Sequence, residues 1–98
     1  VARLLAYRVA WLKVQGKVPN AEASMSKVFG SETSQRVARV GLELLGLYGL
    51  LTPEDPRAPL GGRVEDAFLG TFSSTIAAGT SEIQRNIIAL RGLGLPRA

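Results

Sequence analysis

The sequence predicts an all-α protein, an up-down helical bundle. Apolar residues recur at intervals of three and four along most of its 98 residues, and no stretch alternates with a period of two. Proline and glycine gather between the periodic stretches rather than inside them. With 46% hydrophobic residues but only 6% aromatic, the packing is of Leu, Ala and Val, in a composition suited to folding.

Residues 1–15, VARLLAYRVAWLKVQ, set Leu5, Val9 and Leu12 on one helical stripe, which Leu4 and Trp11 widen. Gly16 and Pro19 end that helix. Asn20 is expected to cap the next one, its side-chain oxygen taking a free amide of the first turn. The second helix reads through Met25, Val28 and Phe29, crosses the polar GSETSQR, and resumes at Val37, Val40, Leu44 and Leu47. About thirty residues would reach roughly 45 Å, more than a domain of this size spans alone, so neighbouring helices are expected from outside the chain. Gly30 is expected to mark a bend or a close helix crossing.

LTPEDPRAPLGGR, residues 51–63, reads as a surface loop, with three prolines and two glycines. A third helix is expected from about Glu65 to Ala77, burying Phe68, Phe72 and Ile76, and a fourth from Ser81. All four belong to one domain, residues 1–98, with no internal repeat.

The absence of cysteine and histidine excludes disulfides, thiolate nucleophiles, imidazole bases and most zinc sites within the chain. A reduced, cytoplasmic setting fits. The chain begins at Val1 without a secretory pattern and has no apolar run of membrane-spanning length, which reads as a segment of something longer. A net charge of +4 invites nucleic acid, but Arg3, Arg8, Lys13, Lys17, Lys27, Arg36 and Arg39 are scattered without interleaved aromatics, as on solvated helix faces.

The densest stretch is IAAGTSEIQRNIIALRGLGLPR, residues 76–97. Ser81 and Gln84 have the spacing of a capping box, and Gly79 permits a tight turn before it. Such a helix start presents free amides and a positive dipole end, a seat for phosphate or a thioester oxyanion, although most such starts simply cap a helix.

GTSEIQRNIIALRGLGLPR, preceded by ARLLAYRVAWLKVQGK and SMSKVFGSETSQRVA in that order, resembles the C-terminal domain of the acyl-CoA dehydrogenases over nearly the whole chain, residues 51–63 least. The resemblance implies part of a four-helix C-terminal domain of a flavoprotein. Such enzymes remove a proton and a hydride from adjacent carbons of an acyl-CoA thioester, and pass the electrons to an electron-transfer flavoprotein. It implies FAD contacts at Thr80 and Glu82, with Ser81 between them, and thioester contacts at Ala78 and Gly79. For Gln84, capping is a sufficient role.

Two departures from the family pattern stand out. Many members carry a glutamate base where this chain has Ala78, whose methyl has no lone pair to accept a proton. The resemblance then implies a base on an earlier helix or in a partner subunit; Glu82, at a cofactor position, is a poor substitute. ELLGLYGL, residues 43–50, matches a Q-x-x-G-G-x-G turn that approaches the adenine end of a neighbouring subunit's FAD, but with Glu43 for glutamine and Leu47 for glycine. Glutamate lacks the amide donor and leucine adds bulk, so that contact is altered or lost. Read without the resemblance, Leu44, Leu47 and Tyr48 are core residues. The family's upstream flavin segment is not among these residues, so weak FAD binding is expected of residues 1–98. Three roles stay open: a dehydrogenase domain in a homo- or hetero-oligomer (dimer or tetramer), a base-less subunit beside a competent partner, and a helical interaction module without chemistry. Nucleic-acid association, seen in one DNA-repair branch of the family, has weak support, and no membrane role is expected.

Overall fold

The computed structural model describes residues 1–97, which are helical with turns and contain no strand. Four α-helices follow in order: α1 (Ala2–Val14), α2 (Asn20–Leu45), α3 (Arg63–Ile76) and α4 (Ser81–Ile87). Short 3₁₀ segments occupy Gly46–Leu50 and Pro59–Gly62, and α4 runs on into a π-turn at Ile88–Gly92. Contacts divide the chain into two compact units, one comprising Val1–Gly30 and the stretch from Ala78 onward, the other Ser31–Ala77.

In the first unit, α1 ends where Gly16 turns left-handed, φ 73°. The start of α2 is shifted from expectation. The Pro19 carbonyl accepts from Ala23 N at 2.8 Å, so Pro19 takes the cap position and Asn20 falls inside the first turn. Arg8 of α1 approaches Glu22 of α2, 3.8 Å between Nη2 and Oε1. At the other end of this unit, Gly92 passes so close to α2 that a Cβ there would lie 3.2 Å from Ala21 Cβ. Leu12, Pro19 and Ala21 are buried, Leu12 and Ala21 at 7% and 9% exposure.

The second unit packs the later turns of α2 on α3, where a Cβ on Gly41 would meet Val64 Cγ1 at 3.1 Å. The 51–63 loop is ordered by a clip: Arg57 donates from Nε and Nη2 to the two Asp55 carboxylate oxygens at 3.0 and 2.8 Å. Gly62 closes the loop with φ 73° against Pro53, where a Cβ would fall 2.5 Å from the proline nitrogen. Along α3 the hydroxyls of Thr71, Ser73, Ser74 and Thr75 each donate to the carbonyl three residues back, so its polar residues are satisfied by the helix itself.

The expected core is only partly covered. Leu5, Val9 and Phe68 are half-buried, whereas Leu4, Trp11, Phe72 and Ile76 are exposed. Leu44 and Leu47 are 82% and 83% exposed, and Tyr48 is exposed too, which corrects their reading as core. Periodicity identifies an apolar face, but not whether the same chain covers it. Among the described residues Gly30 makes no close crossing: α2 runs through it, and an added Cβ would have no neighbour within 4 Å.

Candidate functional site

The Ala78–Glu82 turn is built by a reversal of backbone handedness between α3 and α4. Ala77 leaves α3 in an extended conformation. Ala78 and Gly79 then both turn left-handed, φ 55° and 92°. Glycine tolerates this region; alanine is strained in it. A Cβ on Gly79 would also meet Gln84 Nε2 at 2.7 Å, so space as well as φ selects glycine there.

The cap falls one residue earlier than the sequence spacing indicates. Thr80 is the N-cap: its hydroxyl accepts from Ile83 N at 3.3 Å, and its carbonyl accepts from Gln84 N at 2.9 Å. Gln84 does not reach back to the Ser81 amide. Its Nε2 donates to the Ala78 carbonyl at 2.9 Å, bracing the left-handed pair from below. Thr80 has the extended backbone of a cap residue, φ −60° and ψ 161°, whereas Ser81, expected to cap, is already the first residue of the helix.

Ser81 is 7% exposed and its Oγ has no hydrogen-bond partner in the structure. A buried hydroxyl left so costs free energy unless an acceptor or donor from outside completes it. Glu82 is exposed on the first turn. Its carboxyl is held below the ordinary carboxylate range first by its own backbone N–H, then by the Thr80 hydroxyl, with Arg85 and Lys27 adding attraction. Ala78 is exposed, and Gly79 and Thr80 half-buried.

Glu43 and Leu47 belong to the second unit, Glu43 on the last turns of α2 and Leu47 on the following 3₁₀ segment. Glu43 is paired: Arg39 Nε donates to its Oε1 at 3.0 Å. Arg36 and Arg39 read in the sequence as solvated cations, yet both line a groove with Glu43, Phe68 and Phe72. The signal that could have found them is their spacing to Glu43, seven and four residues, which places all three on one side of the helix. Among the described residues no group of acidic, histidine or cysteine side chains could hold a metal, and no helix is long and apolar enough to cross a membrane.

A family profile described as "Acyl-CoA dehydrogenase, C-terminal domain" matches residues 1–93. The chain belongs to the acyl-CoA dehydrogenase family. Acyl-CoA dehydrogenase FadE26 of Mycobacterium tuberculosis is 44% identical over 78 residues, 80% of this chain and 20% of that protein. The crystal structure of the ChsE4-ChsE5 complex from the same organism superposes with a TM-score of 0.88 at 38% identity, over 99% of this chain and 25% of that one. The Tcur3481-Tcur3483 steroid ACAD superposes at 0.91 with 32% identity, over 99% of this chain and 25% of that one. The chain thus spans about a fifth of the length of that acyl-CoA dehydrogenase. The helical fold expected from the apolar periodicity and the family resembled over nearly the whole chain both hold.

Proposed function

We propose that residues 1–98 form part of the C-terminal domain of a longer FAD-dependent acyl-CoA dehydrogenase, supplying cofactor, thioester and subunit contacts but not the catalytic base. The observation that carries this reading is the Ala78–Glu82 turn, a capped helix start with a buried, unpartnered Ser81 hydroxyl in a chain of this family. Amides of a first helical turn lack intrahelical acceptors and suit the polar edge of a flavin or a phosphate. The residues therefore fit FAD: Thr80 and Ser81 would hold it, with Glu82 beside them, while Ala78 and Gly79 would border the acyl thioester. When bound, FAD supplies a hydride acceptor.

Within this division of labour the chain's own residues bind and orient. The Gln84 bond to the Ala78 carbonyl fixes the direction in which the turn presents its amides. The Ala78 methyl leaves room beside the thioester and takes no proton, so the base comes from an earlier helix or another subunit. Electrons would leave to an electron-transfer flavoprotein, as the family implies. Residues 1–98 alone are expected to be inactive.

A second reading makes this chain the base-less member of a hetero-oligomer. Ala78 favours it, as does the likeness to ChsE4-ChsE5, a complex of two named chains. A helical interaction module without chemistry is the reading left if flavin is absent altogether.

Flavin absorbance tests the proposal. The full-length protein should purify yellow and lose FAD in a Thr80→Val variant, whereas residues 1–98 should bind stoichiometric FAD weakly. A colourless full-length protein that takes up no FAD would sink the dehydrogenase reading, and a tight yellow complex of residues 1–98 would sink the division of labour. Activity of the full-length protein alone, without a partner subunit, would exclude the base-less reading.

A further inference from the structure

Charge divides unevenly between the two units. The first holds eight lysines and arginines against two glutamates, the second four arginines against six acids, so the positive balance of the chain belongs to the first. Within that unit lies a groove of about 400 Å³. Asn20, Ser24 and Lys27 line it from α2, Gln84 and Ile87 from α4, and Arg91 from the π-turn. No acidic residue is among those that line it. Of the unit's two acids, Glu22 is set against Arg8 and Glu82 is exposed on the turn.

Lys27 gives the groove its character. Its Nζ is shut off from solvent, and an ammonium taken out of water is costly unless anionic charge compensates it. Glu82 attracts it from the turn. Its flexible four-carbon stem also lets it turn to an anion in the groove. Arg91 adds an exposed guanidinium seven residues past Gln84, roughly 10 Å along the helix and so well beyond the Ala78–Glu82 turn.

This set of groups selects its occupant. An apolar segment would strip water from the cations without pairing them. A carboxylate brings two oxygens to a groove whose ammonium, guanidinium and Asn20 amide carry about ten N–H donors between them. A phosphate monoester brings three terminal oxygens and close to two charges. Ile87 supplies an apolar wall, and the volume suits a small molecule rather than a bare ion. We propose that this groove binds a small phosphate monoester, its phosphate between Lys27 and Arg91 with Asn20 as a further donor, and its organic part against Ile87. The site goes beyond the flavoprotein reading and does not depend on it.

Phenyl phosphate titrated into the full-length protein by calorimetry, with excess FAD present throughout to fill any flavin site, tests it. Phenyl phosphate should bind more tightly than inorganic phosphate, which lacks the organic part, and than benzoate, which lacks the third oxygen. Arg91→Gln should weaken it about tenfold, as loss of a charge-assisted bond does, and Asn20→Ala about fivefold. Lys27→Gln should weaken it at least as much as Arg91→Gln, with circular dichroism checking that the variant folds; Arg91, being exposed, decides the matter if it does not. Lys17→Gln, an exposed cation of the same unit outside the groove, should leave affinity unchanged. Affinity unaffected by Arg91→Gln, or benzoate or inorganic phosphate binding as tightly as phenyl phosphate, overturns the proposal. An equal loss in Lys17→Gln also overturns it, because the unit's overall charge then suffices. Flavin absorbance should be the same in Arg91→Gln as in the parent; its loss would assign Arg91 to the cofactor and overturn a separate site.

Discussion

Ala78 holds a left-handed backbone, φ 55°, which a residue with a Cβ adopts at a cost of about 1–2 kcal/mol. Ala78→Gly removes that strain and adds unfolded-state entropy, and it should stabilise the chain by up to about 1 kcal/mol in urea unfolding. Thr80→Ala removes the N-cap acceptor and should destabilise by about 1 kcal/mol, with Thr80→Ser restoring most of it. Glu82 gives the turn a pH dependence of known sign. Its carboxyl is lowered in the folded state, chiefly by its own backbone N–H, so its stabilising contribution is complete above the unfolded glutamate pKa and is lost as pH falls through the lowered folded value. Thermal unfolding followed down the acidic range should show a shallower decline in Glu82→Gln than in the parent. At this scale the 76–97 stretch gave the place of the site but not its hydrogen bonds. The spacing to Gln84 pointed to Ser81 as the cap, and the extended backbone of Thr80 with its bond from Ile83 N moves the cap to Thr80.

Helix limits were the most legible level, because their causes are local. Gly16 and Pro19 stop α1, the proline-rich 51–63 stretch separates α2 from α3, and α4 begins at the expected Ser81. Asn20 was misplaced by one position because proline cannot donate an amide but can accept at a helix start, which suits it to the cap. The tail of α2 was overextended, since Gly46, φ 57°, ends the α-helix and sends residues 46–50 into a 3₁₀ turn. Inside α2, Gly30 lacks a visible reason to be glycine. Its Cβ position is open, so Gly30→Ala should stabilise the helix by about 0.5–1 kcal/mol, read as a higher denaturation midpoint at unchanged slope. A decrease would mean that a partner outside this chain packs against that position.

For the molecule as a whole, the sequence told which faces are apolar and left open what covers them. α1 shows why: Leu5, Val9 and Leu12 form one stripe, Leu4, Tyr7, Trp11 and Val14 another, and only the first is substantially covered. A helix apolar on both sides belongs in an interior. Together with the exposed Val37, Val40, Leu44 and Leu47, this predicts that residues 1–98 self-associate at micromolar concentration, and a strictly monomeric, folded species in analytical ultracentrifugation would contradict it. Trp11 is the single tryptophan, 56% exposed on that second stripe. The chain therefore carries an intrinsic fluorescent gauge at the surface in question. Its emission should shift to the blue whenever a copy, a subunit or the remainder of a longer protein covers α1, and association elsewhere would leave the colour unchanged.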